Sequence, residues 1–299
     1  MKIKKYISNS KVILFIILFA LCSMNVMAQK SSLEFSIHGG GSFDVLAFAP
    51  LKKGNSSAGY GAEIGMGFSG FFSPQFGIYV GVGFNFMNIK SKLDTLKHVT
   101  SGLIKKDDLQ NLRKYDLHTS LIDYTEVQRS MFITIPVMLQ YQTKLNQHWD
   151  WRRTKNVGFY FMGGAKAHFL VNNKYETTVR MFKNLAHFTD MGVWINGPEY
   201  QGFGTFDNNT VGEGKLNFGF MLSVALETGV KWRIDRNIFL YTGIYFDCGV
   251  NDPFKDSRKS LANYTKKEDF KELTLLKAAD RVNMLAVGIK VKVAFGKTL

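Results

Sequence analysis

Phe76-Gly77-Ile78-Tyr79-Val80-Gly81-Val82-Gly83-Phe84-Asn85-Phe86 alternates without a break. Its even positions are large and apolar: Phe76, Ile78, Val80, Val82, Phe84 and Phe86. The positions between them, Gly77, Tyr79, Gly81, Gly83 and Asn85, are mostly small or polar. Successive side chains of a strand point to opposite faces, so this period of two predicts a strand with one fully apolar face. Residues 216–226 repeat the pattern, with Leu216, Phe218, Phe220, Leu222, Val224 and Leu226 on one face. Residues 285–295 repeat it again, with Leu285, Val287, Ile289, Val291, Val293 and Phe295. Weaker alternation runs through 33–38, 59–68, 131–142, 159–169 and 238–247. Together these predict eight strands of roughly the 9–11 residues that cross a bilayer.

The chemistry of the second face decides where the apolar face points. A soluble eight-stranded barrel turns its apolar face inward and presents Lys, Glu and Thr to water. Here the second face is mostly Gly, Ala, Ser and Tyr, and Gly59, Gly61, Gly65 and Gly67 share it. Such a face makes a poor solvated surface but suits the crowded interior of a narrow barrel. The connections fall near 46–57, 70–75, 89–128, 143–156, 171–214, 232–236 and 251–281, mostly long alternating with shorter. Long extracellular and short periplasmic connections mark outer-membrane barrels. The expected fold is therefore all-β: an eight-stranded antiparallel up-and-down transmembrane β-barrel with long extracellular loops and periplasmic termini. Phe71, Phe72, Tyr141, Trp149, Trp151 and Trp232 are expected to form an interfacial girdle at the short-turn end. Pro136 cannot donate to a ladder, which predicts a bulge or an end-of-ladder position.

The N-terminus fits export. Lys2, Lys4, Lys5 and Lys11 precede ten apolar residues, Val12 to Leu21, and Val26-Met27-Ala28 supplies a cleavage site. Residues 1–28 read as a signal peptide and 29–299 as the outer-membrane barrel domain. Removing 28 of 299 residues leaves 271, and losing four lysines and no acid takes the formal charge from +14 to +10. Cys22 leaves with the signal, so Cys248 has no partner for an internal disulfide. The 45% apolar share excludes a disordered chain. No later run of 18 apolar residues predicts a membrane helix, which leaves a closed barrel as the way to span lipid.

Three stretches resemble PorT-like outer-membrane β-barrel proteins of Bacteroidetes. Ile135-Pro136-Val137-Met138-Leu139-Gln140-Tyr141 is similar to that family's I-P-x-x-L-x-Y strand. Gly163-Gly164-Ala165-Lys166-Ala167-His168-Phe169-Leu170 resembles the strand that follows it, and 287–295 resembles the closing strand. The resemblance implies an eight-stranded, OmpA-like barrel in the outer membrane and, through one founding member, an association with protein secretion. The chain departs from it in ending on Leu299 rather than an aromatic residue, and in the length of 89–128 and 171–214.

The inward face collects Glu34, His38, Glu63, Lys166, His168, Glu227, Asp247, Lys290 and Lys292. Buried charges pair or cost several kcal/mol each, so Glu34, Glu63, Glu227 and Asp247 are expected to neutralise Lys166, Lys290 and Lys292. Such a network serves as a structural plug, or as a gate or proton path. His38, His98, His118, His148, His168 and His187 show no metal-ligand spacing. His118 with Ser120 and His187 with Asp190 are the rim pairs an enzymatic barrel would use, but their spacing carries no signal of its own. No catalytic, cofactor or metal residue is assigned. Residues 251–281 hold eight basic and six acidic side chains, and Thr265 with Glu268 has the spacing of a capping box, predicting a short surface helix. Residues 193–200 form an aromatic, glycine-containing stretch that contacts a partner or packs over the barrel mouth. The basic balance suits outer-membrane lipid and lipopolysaccharide phosphates. Envelope or secretion proteins are the other expected partners, and nucleic acid is not expected. The function expected is a non-catalytic structural or interaction role at the cell envelope, with secretion or a rim-site lipid or peptide enzyme as alternatives.

Overall fold

The structure is a computed structural model. It describes residues 32–49, 56–106, 112–144, 156–197, 203–206, 210–215, 219–254, 263–264, 270–271, 274–275 and 281–296. The expected signal peptide, Trp149 and Trp151 lie outside these residues. Eight long strands build the barrel: β1 (Ser32–Ala49), β2 (Ser56–Phe71), β3 (Phe76–Lys106), β4 (Leu112–Gln142), β5 (Val157–Phe188), β6 (Met221–Asp235), β7 (Ile238–Gly249) and β8 (Arg281–Gly296). Each pairs antiparallel with the next, and β8 pairs with β1 to close the ring. Closure leaves no open edge within the wall, which is what lipid demands.

The apolar set faces outward. Ile64, Phe68, Phe84, Leu139, Phe159, Ile244 and Ile289 are all exposed on the wall, while their neighbours in sequence turn into the lumen. Small residues let backbones approach: a Cβ at Gly164 would stand 2.2 Å from the Val137 carbonyl, and one at Gly229 2.1 Å from that of Thr242.

Two of the expected long loops are strand instead. β3 and β4 have 31 residues each and β5 has 32, against 12–18 for the other five. At about 3.3 Å per residue, the excess carries these three strands on the order of 50 Å past the barrel. Most of 89–128, and 171–188, is thus a three-stranded blade. Its pattern is hard to follow in sequence because the phase slips. Asp94 and Asp123 fall outside the β3–β4 register, Asp123 has φ 52°, and a register shift lies between Thr100 and Leu103 around Gly102 (φ 74°). The blade has its own core of Leu93, Leu96, Leu121, Tyr124, Val179 and Phe182, joined by Phe206 and Leu275. The chain after β5 returns along the β5 edge of the blade in three pieces, Val193–Ile195, Gly204–Phe206 and Thr210–Gly214. That edge is therefore covered, which removes a template for aggregation.

Three smaller expectations are corrected. Phe71 is fully buried inside the barrel and not in the girdle, because the alternation of β2 turns it inward; Phe72, Tyr141 and Trp232 are exposed at that end. Pro136 makes neither a bulge nor a ladder end. The β3–β4 pairing lapses between Val80↔Val137 and Gly83↔Thr134 and resumes in the same register, while Pro136 stays opposite Lys166 of β5. Of the short surface helix expected within 251–281, Phe270 instead pairs with Tyr264 in a two-stranded ribbon, Leu275 is helical, and 265–269, 272–273 and 276–280 lie outside the described residues.

Candidate functional site

Alternation along β1, β2, β5, β6, β7 and β8 brings all nine expected polar residues into the lumen, where Glu34, His38, Glu63, Lys166, His168, Glu227, Asp247, Lys290 and Lys292 are all buried. Lys166 Nζ lies 2.7 Å from Asp247 Oδ2 and 3.7 Å from Glu63 Oε2. Lys290 Nζ bridges Glu63 Oε1 at 2.6 Å and Glu227 Oε2 at 2.9 Å. Lys292 Nζ is 3.8 Å from Glu227 Oε1 and sits 4.5 Å above the Tyr241 ring. The two histidines are held by neutral partners. His168 is within 2.9 Å of both Thr134 Oγ1 and Ser223 Oγ, and His38 Nδ1 is 3.3 Å from the Tyr79 hydroxyl.

Glu34 does not join the three expected lysines. Its carboxylate accepts from Lys231 Nζ at 2.6 Å and from the Tyr241 hydroxyl at 2.5 Å. Lys231 also donates to Gln142 Oε1 at 2.8 Å and lies 4.2 Å from the Phe239 ring centre and 5.4 Å from that of Phe71. The set of four carboxylates thus meets four lysines. Sequence reasoning missed Lys231, although the signal was present: continuing the odd positions of 217–225 through Glu227 and Gly229 reaches it. Asp44 and Arg233 are further buried charges on the same face that were missed.

Above the ions the lumen is apolar. Leu46, Met87, Ile89, Phe132, Met221, Phe254, Val282 and Met284 pack into one layer across the barrel mouth. Beside the ion pairs remains a small cavity of about 20 Å³, lined among others by His38, Glu63, Tyr79, Asn85, Lys166 and Lys290. That is room for about one water. The arrangement can hold charges in place, and this cavity is smaller than a substrate.

The rim pairs fare differently. His118 and His187 come together on the outer face of the blade, with ring centres 6.4 Å apart, and Trp194 lies against both at 4.7 and 4.4 Å. Ring stacking accounts for their placement. Among the described residues no three His, Cys, Asp or Glu side chains gather as metal ligands.

Comparison with known proteins places these features in context. The profile of a family described as outer membrane protein beta-barrel domain matches residues 27–255, seven of the eight strands. No curated protein matches the sequence. Among solved structures, the chain is similar to OprG from Pseudomonas aeruginosa, at 11% identity and TM-score 0.33 over 88% of this chain and 94% of that one. It is similar to Neisserial surface protein A at 9% identity and TM-score 0.30, over 89% of this chain and 100% of that one. It is similar also to Ail, the attachment invasion locus protein of Yersinia pestis, at 10% identity and TM-score 0.26, over 88% and 99%.

Proposed function

We propose, on the premise that this chain belongs to the outer membrane protein beta-barrel domain family, that it is a non-catalytic interaction protein whose blade engages a partner at the cell surface. One observation carries this reading. Val99, Ile104, Leu112, Met191, Val193 and Trp194 are exposed apolar residues at the far end of the blade, many residues beyond the membrane belt. Lipid explains the greasy wall of the barrel but not these. An exposed apolar patch away from a core or a bilayer marks a contact surface.

The test is affinity purification from native membranes, with the unchanged protein beside a Val99→Ser/Trp194→Ser variant. Both substitutions lie on the surface, so the fold should persist. An envelope or surface protein that co-purifies with the former and is lost from the latter supports the reading. Equal recovery by both, or none by either, counts against it. A finer, PorT-like role in secretion is supported by the resemblance of 135–141, 163–170 and 287–295, and unchanged secretion in a deletion strain would remove it.

A further inference from the structure

The outer wall changes character at one level on β2 to β5. Tyr60, Asn88, Arg129 and Lys174 are successive cross-strand partners and form one row. The next row toward the short-turn end is Ala62, Phe86, Met131 and Asn172. The next row toward the blade is Ala58, Lys90, Val127 and Glu176. Rows on one face lie two residues apart, so the wall passes from greasy to basic within about 7 Å. On an outer-membrane barrel, such a change fits the passage from acyl chains to head groups.

A groove of about 430 Å³ opens at this boundary, lined by Tyr60, Phe86, Asn88, Arg129, Met131 and Lys174 among others. A register shift between Met131 and Phe132 lies at its floor, since Met131 faces Asn172 while Phe132 faces Leu170. Asn88 donates to the Tyr60 hydroxyl at 2.8 Å and stiffens one side. Two acids stand nearby. Glu176 lies 3.8 Å from Arg129 and 3.1 Å from Lys174, and Glu213 lies 3.5 Å from Lys174. At 3.8 Å the Arg129 contact is beyond hydrogen-bond range, so the planar guanidinium keeps its donors for another acceptor. Lys90 and Lys92 are exposed just above, leaving four cations against the two acids.

We infer that this groove binds the phosphorylated head group of an outer-leaflet lipid, with the phosphate taken by Arg129 and Lys174 and an acyl chain lying along Phe86 and Met131. Apolar floor and basic lip in one groove fit an amphipathic anion better than a free one. The inference rests on the barrel's place in the outer membrane and is independent of partner docking by the blade.

The probe is bisphosphorylated lipid A, compared with the same lipid after removal of both phosphates. Mature protein refolded in octyl glucoside is titrated with each, and bound lipid is counted by native mass spectrometry. Heat-modifiable gel migration confirms that every variant is a closed barrel. The unchanged protein is expected to prefer the phosphorylated lipid by about tenfold or more, the combined attraction of two basic residues for an anionic head group. Arg129→Gln/Lys174→Gln should abolish most of that preference, while Lys97→Gln/Lys114→Gln on the blade should retain it. No preference in the unchanged protein, or a preference that survives Arg129→Gln/Lys174→Gln, overturns the inference. So does displacement of the lipid by millimolar inorganic phosphate, which would mark a free-anion site. Gel migration that heat leaves unchanged in the unmodified protein would instead overturn the barrel itself.

Discussion

A lysine ammonium inside a barrel is tolerated only if every donor finds an acceptor or a ring. Lys231 shows what that takes: a carboxylate at 2.6 Å, an amide oxygen at 2.8 Å, and the Phe239 face at 4.2 Å. Removing it leaves Glu34 buried, with the Tyr241 hydroxyl as its remaining hydrogen-bond partner among the described residues. Breaking one side of a buried pair costs about 3–5 kcal/mol, because the survivor keeps its desolvation penalty. Lys231→Met should therefore lower unfolding stability by that amount, read from urea titration in lipid vesicles. A change under 1 kcal/mol would mean that water reaches Glu34. The same residue marks the limit of sequence reading. Alternation gives each side chain a face, and it placed nine polar residues there, yet a face does not say which charge meets which. Glu34 was grouped with Lys166, Lys290 and Lys292, whereas the strand stagger sets it beside Lys231, 197 positions away.

At the scale of elements, the blade was the part least legible in the sequence. The barrel strands keep one phase up to the register shift at Met131/Phe132, so a count of alternating residues finds them. The blade strands slip phase at Asp94 and Asp123, and below the apolar far end their outer face mixes charged and polar residues such as Lys92, Lys97, Asp123 and Arg180. Its inner face carries a carboxyl with a conditional role. Glu126 is fully buried and accepts from the Tyr124 hydroxyl, the Gln128 amide, Thr274 Oγ1 at 3.1 Å and the Leu275 amide at 2.9 Å. It thereby ties 274–275, from the connection between β7 and β8, to the blade. Burial raises its pKa above the usual 4.5, outweighing the donors, which act the other way. A folded-state pKa above the unfolded one gives stability that is complete below about 4.5 and is lost as pH rises through the raised value. Protection of the Leu275 amide from hydrogen exchange, corrected for intrinsic rate, should fall over that window in the unchanged protein. In Glu126→Gln it should be flat. Constant or rising protection in the unchanged protein would overturn this conditional role of the carboxyl.

Taken whole, the molecule is a sealed cylinder with a sheet standing on it. The interior is layered along the axis. Lys231 and Glu34 lie toward the short-turn end, and the Glu227, Lys290, Glu63, Lys166 and Asp247 chain lies in the middle. The apolar layer with Leu46, Phe132, Met221 and Met284 closes the mouth. An eight-stranded ring is only wide enough for side chains to fill it. The two barriers act in series and differ in kind: ion pairs block by occupying the space with fixed charge, the apolar layer by excluding hydrated ions. Loosening one leaves the other shut. The protein should show no steady ion conductance in a planar bilayer. Lys290→Met, which removes the bridge between Glu63 and Glu227, should stay closed as well, because the mouth layer is untouched. Opening should require both Lys290→Met and a truncation such as Met221→Ala in that layer. A conducting Lys290→Met barrel that still migrates as folded would show that the charge chain alone keeps the lumen shut, and the reading of the lumen as a plug would give way to a gate.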